Sequence, residues 1–286
     1  MANAKVIEKK GSVVIFSVVV PKEDVKKTYD HVVSDMAKHT EVKGFRKGQA
    51  PQKMVEEKLD TQKLYQSALE HLLPKVYVEA VQTLNLQPIA DPQIEATSLK
   101  ENEDWSFKIT VVERPEVILS GYIEKIQKEL APSKIVVPGK EETEAQKKTS
   151  EEQRIGRILS ILKESAKVDI PQPLIDQEVQ RKLSSLIDQT ARLGLTVDQY
   201  LSRTGKTKEM ITKEYDTQSR EDILMELVLD AVARDEQVEV SQAEIEQAIN
   251  SAPDEETRKA LSTSDQKLYL ASIIRKRKTI DKLMSL

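Results

Sequence analysis

The sequence predicts an α+β N-terminal domain, an antiparallel sheet packed with helices, followed by an extended linker and an all-α C-terminal domain. Three observations carry this. Strand-like apolar alternation and helical stripes are interleaved up to about residue 114, the stretch from Arg114 to Ser150 is rich in Pro, Lys and Glu, and the pattern from Glu151 onward is helical. The expected divisions are therefore 1–114, 115–150 and 151–286. A chain of 286 residues has room for one large or two ordinary domains with a buried core.

Lys5 to Glu8, a turn over Lys9-Lys10-Gly11-Ser12 and the run Val13 to Val20 read as a hairpin whose second strand is buried. Val25, Tyr29, Val32, Val33 and Met36 fall at helical spacing, so an amphipathic helix is expected from Pro21 to about Lys38. A loop around Gly44 follows, and Pro51 suits the first turn of a short helix. Leu64, Ala68, Leu72, Val76 and Ala80 make a further helical stripe that Pro74 is expected to kink or split. Strands are expected over Ile89 to Leu99 and Trp105 to Val112, the second with Trp105, Phe107, Ile109 and Val111 on one face.

Pro115, Pro132 and Pro138 forbid a continuous helix through the next stretch, which reads as an extended linker. Beyond it lie three helical stripes: Leu174, Ile175, Val179, Leu183, Leu186 and Ile187; Ile223, Leu224, Leu227, Val228 and Ala231; and Leu270, Ile273, Ile274, Leu283 and Met284. Thr196-Val197-Asp198-Gln199 and Ser241-Gln242-Ala243-Glu244 match the capping box and mark two helix starts.

Charged residues are 32% of the chain but cancel to a net −4, so a nucleic-acid role has to rest on a local patch. The absence of cysteine excludes disulfides, thiolate nucleophiles and sulfur-ligated metal, and fits a reducing compartment, with the cytoplasm expected. Lys5, Lys9 and Lys10 before Val13 to Val20 imitate a signal peptide. No small-residue cleavage site follows, and Pro21-Lys22-Glu23-Asp24 looks like a helix start, so that reading is set aside. No run is long enough to span a bilayer.

Catalytic and ligand motifs fail on inspection. Gly205-Lys206-Thr207 resembles the end of a phosphate-binding loop, but the glycine that motif needs five residues earlier is Tyr200, and a polar connection between helices is expected. His31, His39 and His71 have no partners at metal or triad spacing. No carboxylate pair stands in an evident apolar pocket. No catalytic residue, metal site or cofactor is expected. Arg275-Lys276-Arg277-Lys278 reads first as a solvated helix face and second as an auxiliary RNA or substrate contact.

One segment stands out. Gly44-Phe45-Arg46-Lys47-Gly48-Gln49-Ala50-Pro51 places an aromatic beside two cations, and between Val42 and Met54 there are four Lys or Arg and no acid. Such a run resists burial and suits stacking and phosphate contact on RNA, or an acidic protein groove. An ordinary charged turn is its plainer alternative.

The string Gly-Phe-Arg-Lys-Gly-x-x-Pro, after a strand and a helix and before a helical hairpin, resembles the ribosome-docking signature of trigger factor, the bacterial ribosome-associated chaperone family. Pro115-Glu116-Val117 is similar to the family's end of its first domain, and Val168-Asp169-Ile170-Pro171 resembles the start of its helical domain. The resemblance implies docking on the ribosome large subunit near the exit tunnel, on protein and rRNA, through Phe45, Arg46 and Lys47, with Gly44, Gly48 and Pro51 shaping the loop. It also implies ATP-independent binding of nascent or unfolded polypeptides by the helical domain, with neither DNA nor membrane as a partner. The family usually carries a prolyl-isomerase domain of the FK506-binding type between these parts. Here only 30 residues lie between Ser120 and Glu151, whereas a domain needs at least roughly 50, so the isomerase is expected to be missing and the chain not to be an enzyme. The alternatives are isomerase activity by family analogy and a non-chaperone RNA or protein interaction module.

Overall fold

The structure, a computed structural model, describes residues 3–39, 61–100, 103–130 and 144–286. The described chain forms two compact units, Met1–Arg114 and Pro115–Leu286.

In the first unit, β1 (Asn3–Lys10), β2 (Val13–Val20), β3 (Gln93–Ser98) and β4 (Trp105–Val112) make an antiparallel sheet of order β1-β2-β4-β3. Gly11, at φ 57°, supplies the left-handed turn that joins β1 to β2. Strand β2, the run that imitates a signal peptide, is therefore a central strand. Val13↔Val112 through Val20↔Trp105 pair without a slip, which puts Val14, Phe16, Val18 and Val20 on the same face as Trp105, Phe107, Ile109 and Val111. That face is closed by α1 (Lys22–His39) and α2 (Thr61–Thr83), which contribute Val25, Val32, Val33, Leu64, Ala68, Leu72, Val76 and Ala80. The rings of Tyr29, Tyr65 and Trp105 step across the three elements, with centroids 5.0 and 5.9 Å apart.

Two local expectations differ from the structure. Helix α2 runs unbroken through Pro74. The proline is exposed, as is Glu70 one turn before it, so water can take the carbonyl that loses its amide partner. The strand expected from Ile89 begins only at Gln93, because Pro92 has no N–H for a ladder. Before it, Ile89 donates to the Val112 carbonyl at 2.9 Å and Pro88 bridges to Glu113. The Glu113 carboxylate accepts from Lys9 Nζ at 2.8 Å and from the Gln87 amide at 3.2 Å, and these partners hold its pKa below the usual carboxylate range.

The second unit is mostly helical. Residues 115–130, expected within the extended linker, instead form β5 (Val117–Leu119) and α3 (Tyr122–Leu130). Strand β5 pairs antiparallel with β6 (Ala166–Val168), and α3 packs against α4 (Glu144–Ser165). Tyr122, Ile126, Ile158 and Leu162 join Val228, Val232 and Leu283 in one core. The prolines at 115 and 132 bar a continuous helix but leave room for a short one between them. The partner strand of β5 lies far along the chain, where no local pattern announces it.

Helices α5 (Gln172–Arg192), α6 (Val197–Thr204), α7 (Lys208–Asp235), α8 (Gln242–Asn250), α9 (Glu255–Leu261) and α10 (Ser264–Met284) complete the unit. Both capping boxes are formed: Thr196 Oγ1 accepts from the Gln199 amide and Ser241 Oγ from the Glu244 amide, each with the reciprocal bond. Ile175 and Val179 of α5 pack on Ile223 and Leu227 of α7. Leu186, Leu201 and Ile211 make a smaller cluster over α6. Ile187 and Ile273, assigned to apolar stripes, sit on stripe edges and are exposed.

Trp105 is the single tryptophan of the chain and is buried in the core of the first unit, so its fluorescence reports that core. Phe107→Ala is expected to destabilise the unit by about 3–5 kcal/mol, measured as a lower urea midpoint of the Trp105 signal.

Candidate functional site

Helix α1 ends at His39 and α2 begins at Thr61, so the basic segment is the connection between two helices that pack over one sheet face. The candidate docking residues Gly44, Phe45, Arg46, Lys47, Gly48 and Pro51 lie outside the described residues. What the structure supplies is the frame. The helices on either side are anchored by Val32, Val33, Leu64 and Ala68, all at most 2% exposed.

The other charged motifs are absorbed by the fold. Gly205 takes the left-handed conformation that ends α6, Lys206 pairs with Glu214, and Thr207 caps α7 by accepting from the Met210 amide. This is the polar helix connection expected from the sequence. The basic cluster on α10 is also engaged. Arg275 Nε donates to the Val238 carbonyl at 3.1 Å, Lys276 pairs with Glu226 at 2.8 Å, and Lys278 Nζ reaches both the Glu239 carbonyl and Glu244 at 2.7 Å. Lys278, together with Ser241, depresses the Glu244 carboxyl to a pKa of about 2. Arg277 remains strongly exposed beside Asp281. Three of the four cations are thus paired with residues of α7, α8 and the connection between them.

His31 and His71 are exposed, and His71 Nδ1 lies 2.8 Å from the Ser67 carbonyl of its own helix. Among the described residues no group of His, Asp and Glu is placed to hold a metal ion, and no helix is long and apolar enough to cross a membrane.

Several apolar residues of the helical unit lie outside its cores. Leu193 at the end of α5 is 72% exposed, and Leu268 and Tyr269 on α10 are 69% and 61% exposed. Ile187, Met210 and Ile273 are also open to solvent. Of these six, Leu193, Met210, Leu268 and Tyr269 lie outside the apolar stripes read from the sequence. Residues on a helical stripe face a core, so the signal for an exposed one is an apolar residue lying off its helix's stripe.

A polar network outside any sequence motif fastens α3 to the end of α7. The buried Tyr122 Oη donates to Asp235 Oδ2 at 2.7 Å, with Glu236 Oε1 at 3.4 Å, and Glu236 in turn pairs with Lys282 at 2.9 Å. Burial, followed by the Asp235 hydrogen bond, pushes the Tyr122 phenol well above its ordinary pKa and keeps it a neutral donor.

The architecture defines a two-unit protein, an α+β unit with a basic helix-to-helix connection followed by a mostly helical unit. The family model for bacterial trigger factor protein (TF) matches residues 2–150, and that for the bacterial trigger factor protein (TF) C-terminus matches residues 139–285. The chain belongs to the trigger factor family. The two matches overlap, so no stretch of domain size separates them. The trigger factors of Staphylococcus aureus strains JH9 and Newman are each 35% identical over 132 residues, covering 45% of this chain and 30% of theirs. The match thus spans less than a third of the length of these curated relatives. A solved structure from work on promiscuous substrate recognition in folding and assembly activities of the trigger factor chaperone has the same fold. It has TM-score 0.63 and 15% identity over 99% of both chains.

Tyr122→Phe is expected to cost about 1–2 kcal/mol near neutral pH. Because the folded state raises the phenol pKa, this contribution is complete below the ordinary tyrosine value of about 10 and is lost as pH rises through the higher folded value. Urea melts of the two proteins followed by circular dichroism should therefore differ at pH 7 and converge in strong alkali.

Proposed function

We propose that this chain is an ATP-independent, ribosome-associated chaperone of the cytoplasm that shields nascent or unfolded polypeptides. The observation that carries the reading is the Gly44-Phe-Arg-Lys-Gly-x-x-Pro51 string. It sits between α1 and α2 within the stretch that matches the family's N-terminal model. Phe45, Arg46 and Lys47 would make the contact with protein and rRNA of the large subunit near the exit tunnel, and Gly44, Gly48 and Pro51 would shape the loop. An aromatic ring supplies stacking and apolar area while the flanking cations meet phosphate or carboxylate, a pairing that needs no bound cofactor.

The open apolar side chains of the helical unit, Leu193, Met210, Leu268, Tyr269 and Ile273, support the client-binding half of the proposal. Contacts worth about 25 cal/mol per Å² spread over such residues hold an unfolded chain weakly. Folding of the client then competes for the same apolar surface and releases it without nucleotide hydrolysis. The proposed division of labour assigns 1–114 to docking and the helical unit to clients. DNA and membrane are not proposed as partners, and the chain is proposed to act without catalysis.

Replacing Phe45, Arg46 and Lys47 together by alanine is expected to abolish co-sedimentation with ribosomes at moderate salt and to leave the circular dichroism spectrum unchanged. Full ribosome binding by that variant would refute the docking assignment. In a protease-coupled proline-peptide assay the protein should give the uncatalysed rate. It should also suppress aggregation of a denatured client at stoichiometric amounts, which a plain interaction module would not do.

A further inference from the structure

Helices α8 and α9 are attached to the rest of their unit by little apolar surface, whereas α10 is seated in the core by Leu283, with Ile280 and Met284 packed beside it. Helix α9 buries no residue, α8 buries Ile245 and Ile249, and α10 buries Thr279 and Leu283 near its C-terminal end. The polar contacts, by contrast, converge on one short connection. Residues 236, 238 and 239 lie between α7 and α8. Lys282 Nζ donates to the Glu236 carbonyl at 2.5 Å, Arg275 Nε to the Val238 carbonyl at 3.1 Å, and Lys278 Nζ to the Glu239 carbonyl at 2.7 Å.

Positions 275, 278 and 282 share one face of α10. The carbonyls they meet follow the C-terminal end of α7, where the helix dipole favours positive charge. The same cations also pair with carboxylates on either side, Arg275 with Asp230, Lys278 with Glu244 and Lys282 with Glu236, while Lys276 takes Glu226. Within the connection Gln237 adopts φ 51°, a left-handed conformation that is uncommon outside glycine, with its amide bonded to the Arg234 carbonyl and that of Val238 to Ala233.

We propose that this row of cations is a salt-sensitive clasp that fixes the direction in which α8 and α9 leave α7. The side chains in the ion pairs are partly exposed, so dissolved salt reaches and screens them. The apolar face of α10 formed by Leu268, Tyr269 and Ile273 belongs to the same helix. Ionic strength would therefore set how α8 and the connection before it sit beside that helix, with no nucleotide involved. The inference concerns the helical unit alone and does not depend on ribosome docking or client binding.

Hydrogen exchange on the full chain, without ribosomes or clients, tests it. Between about 0.05 M and about 1 M sodium chloride, amides of residues 237–252 should lose about tenfold in protection while those inside α5 and α7 hold. An Arg275→Ala/Lys278→Ala double variant should show that loss already at low salt and respond little to further salt, and Arg275→Lys/Lys278→Arg should restore the wild-type pattern. Unchanged protection of residues 237–252 across the salt range in the wild-type protein would overturn the clasp. A loss spread evenly through α5 and α7 would also overturn it, because the cations would then stabilise the unit generally. If the double variant does not fold, the wild-type salt series decides by itself.

Discussion

The eight-residue antiparallel pairing of β2 with β4 is the constraint on which the first unit rests. It joins Val13–Val20 to Trp105–Val112 across most of the unit's sequence. Because side chains alternate along a strand, its register alone decides that Phe16, Val18, Phe107 and Ile109 share a face. A one-residue slip would turn that set to solvent and remove the surface that α1 and α2 cover. The ends of α1 and α2 that flank the basic string are held in place only when this sheet face is formed. The frame on either side of the basic string and the sheet register are thus linked through the burial of two helices.

The helical unit solves a different problem. Its core lies where α3, α4, α7 and α10 meet, and the β5–β6 pair and the Tyr122–Asp235 hydrogen bond tie the segment after Arg114 into it. Farther along α7 the core thins to the cluster of Leu186, Leu201 and Ile211, and beyond α7 ion pairs and carbonyl contacts from α10 reach α8 and the connection before it. Apolar residues open to solvent occur in these thinly packed parts: Leu193 and Met210 near α6, and Leu268 and Tyr269 on α10. Sparse cores and open apolar side chains go together, because a helix with few packing partners cannot cover its own apolar residues. A client-binding surface needs that arrangement, and its cost is reduced local stability.

Much of this architecture was legible in the chain because it rests on local rules. Strict alternation marked β4, helical spacing marked α1 and α7, and the two capping boxes at Thr196 and Ser241 predicted helix starts to the residue. The rules failed where a distant partner or solvent decided. Pro74 does not split α2, because its exposed position lets water satisfy the orphaned carbonyl. Residues 115–130 read as linker because β5 meets a strand far along the chain, and α3 is stabilised by Ile158, Leu162 and Val232, which lie in other helices. Of the candidate site, the chemistry of Phe45, Arg46 and Lys47 was readable as a contiguous string, since composition and order need no fold.

Sequence by itself thus determined the order of the strands and helices it could pattern, the basic string between α1 and α2, and the resemblance that family matches bear out. Tertiary structure decided which charges are spent and which apolar residues stay open. Arg275, Lys276 and Lys278 look like a free cationic face in the chain, yet they neutralise Asp230, Glu226 and Glu244 once α7, α8 and α10 come together. The physical reason is the range of the forces involved. Backbone preference and periodic burial act over a few residues and are written locally, whereas charge pairing and exposure depend on neighbours that only the folded chain brings near.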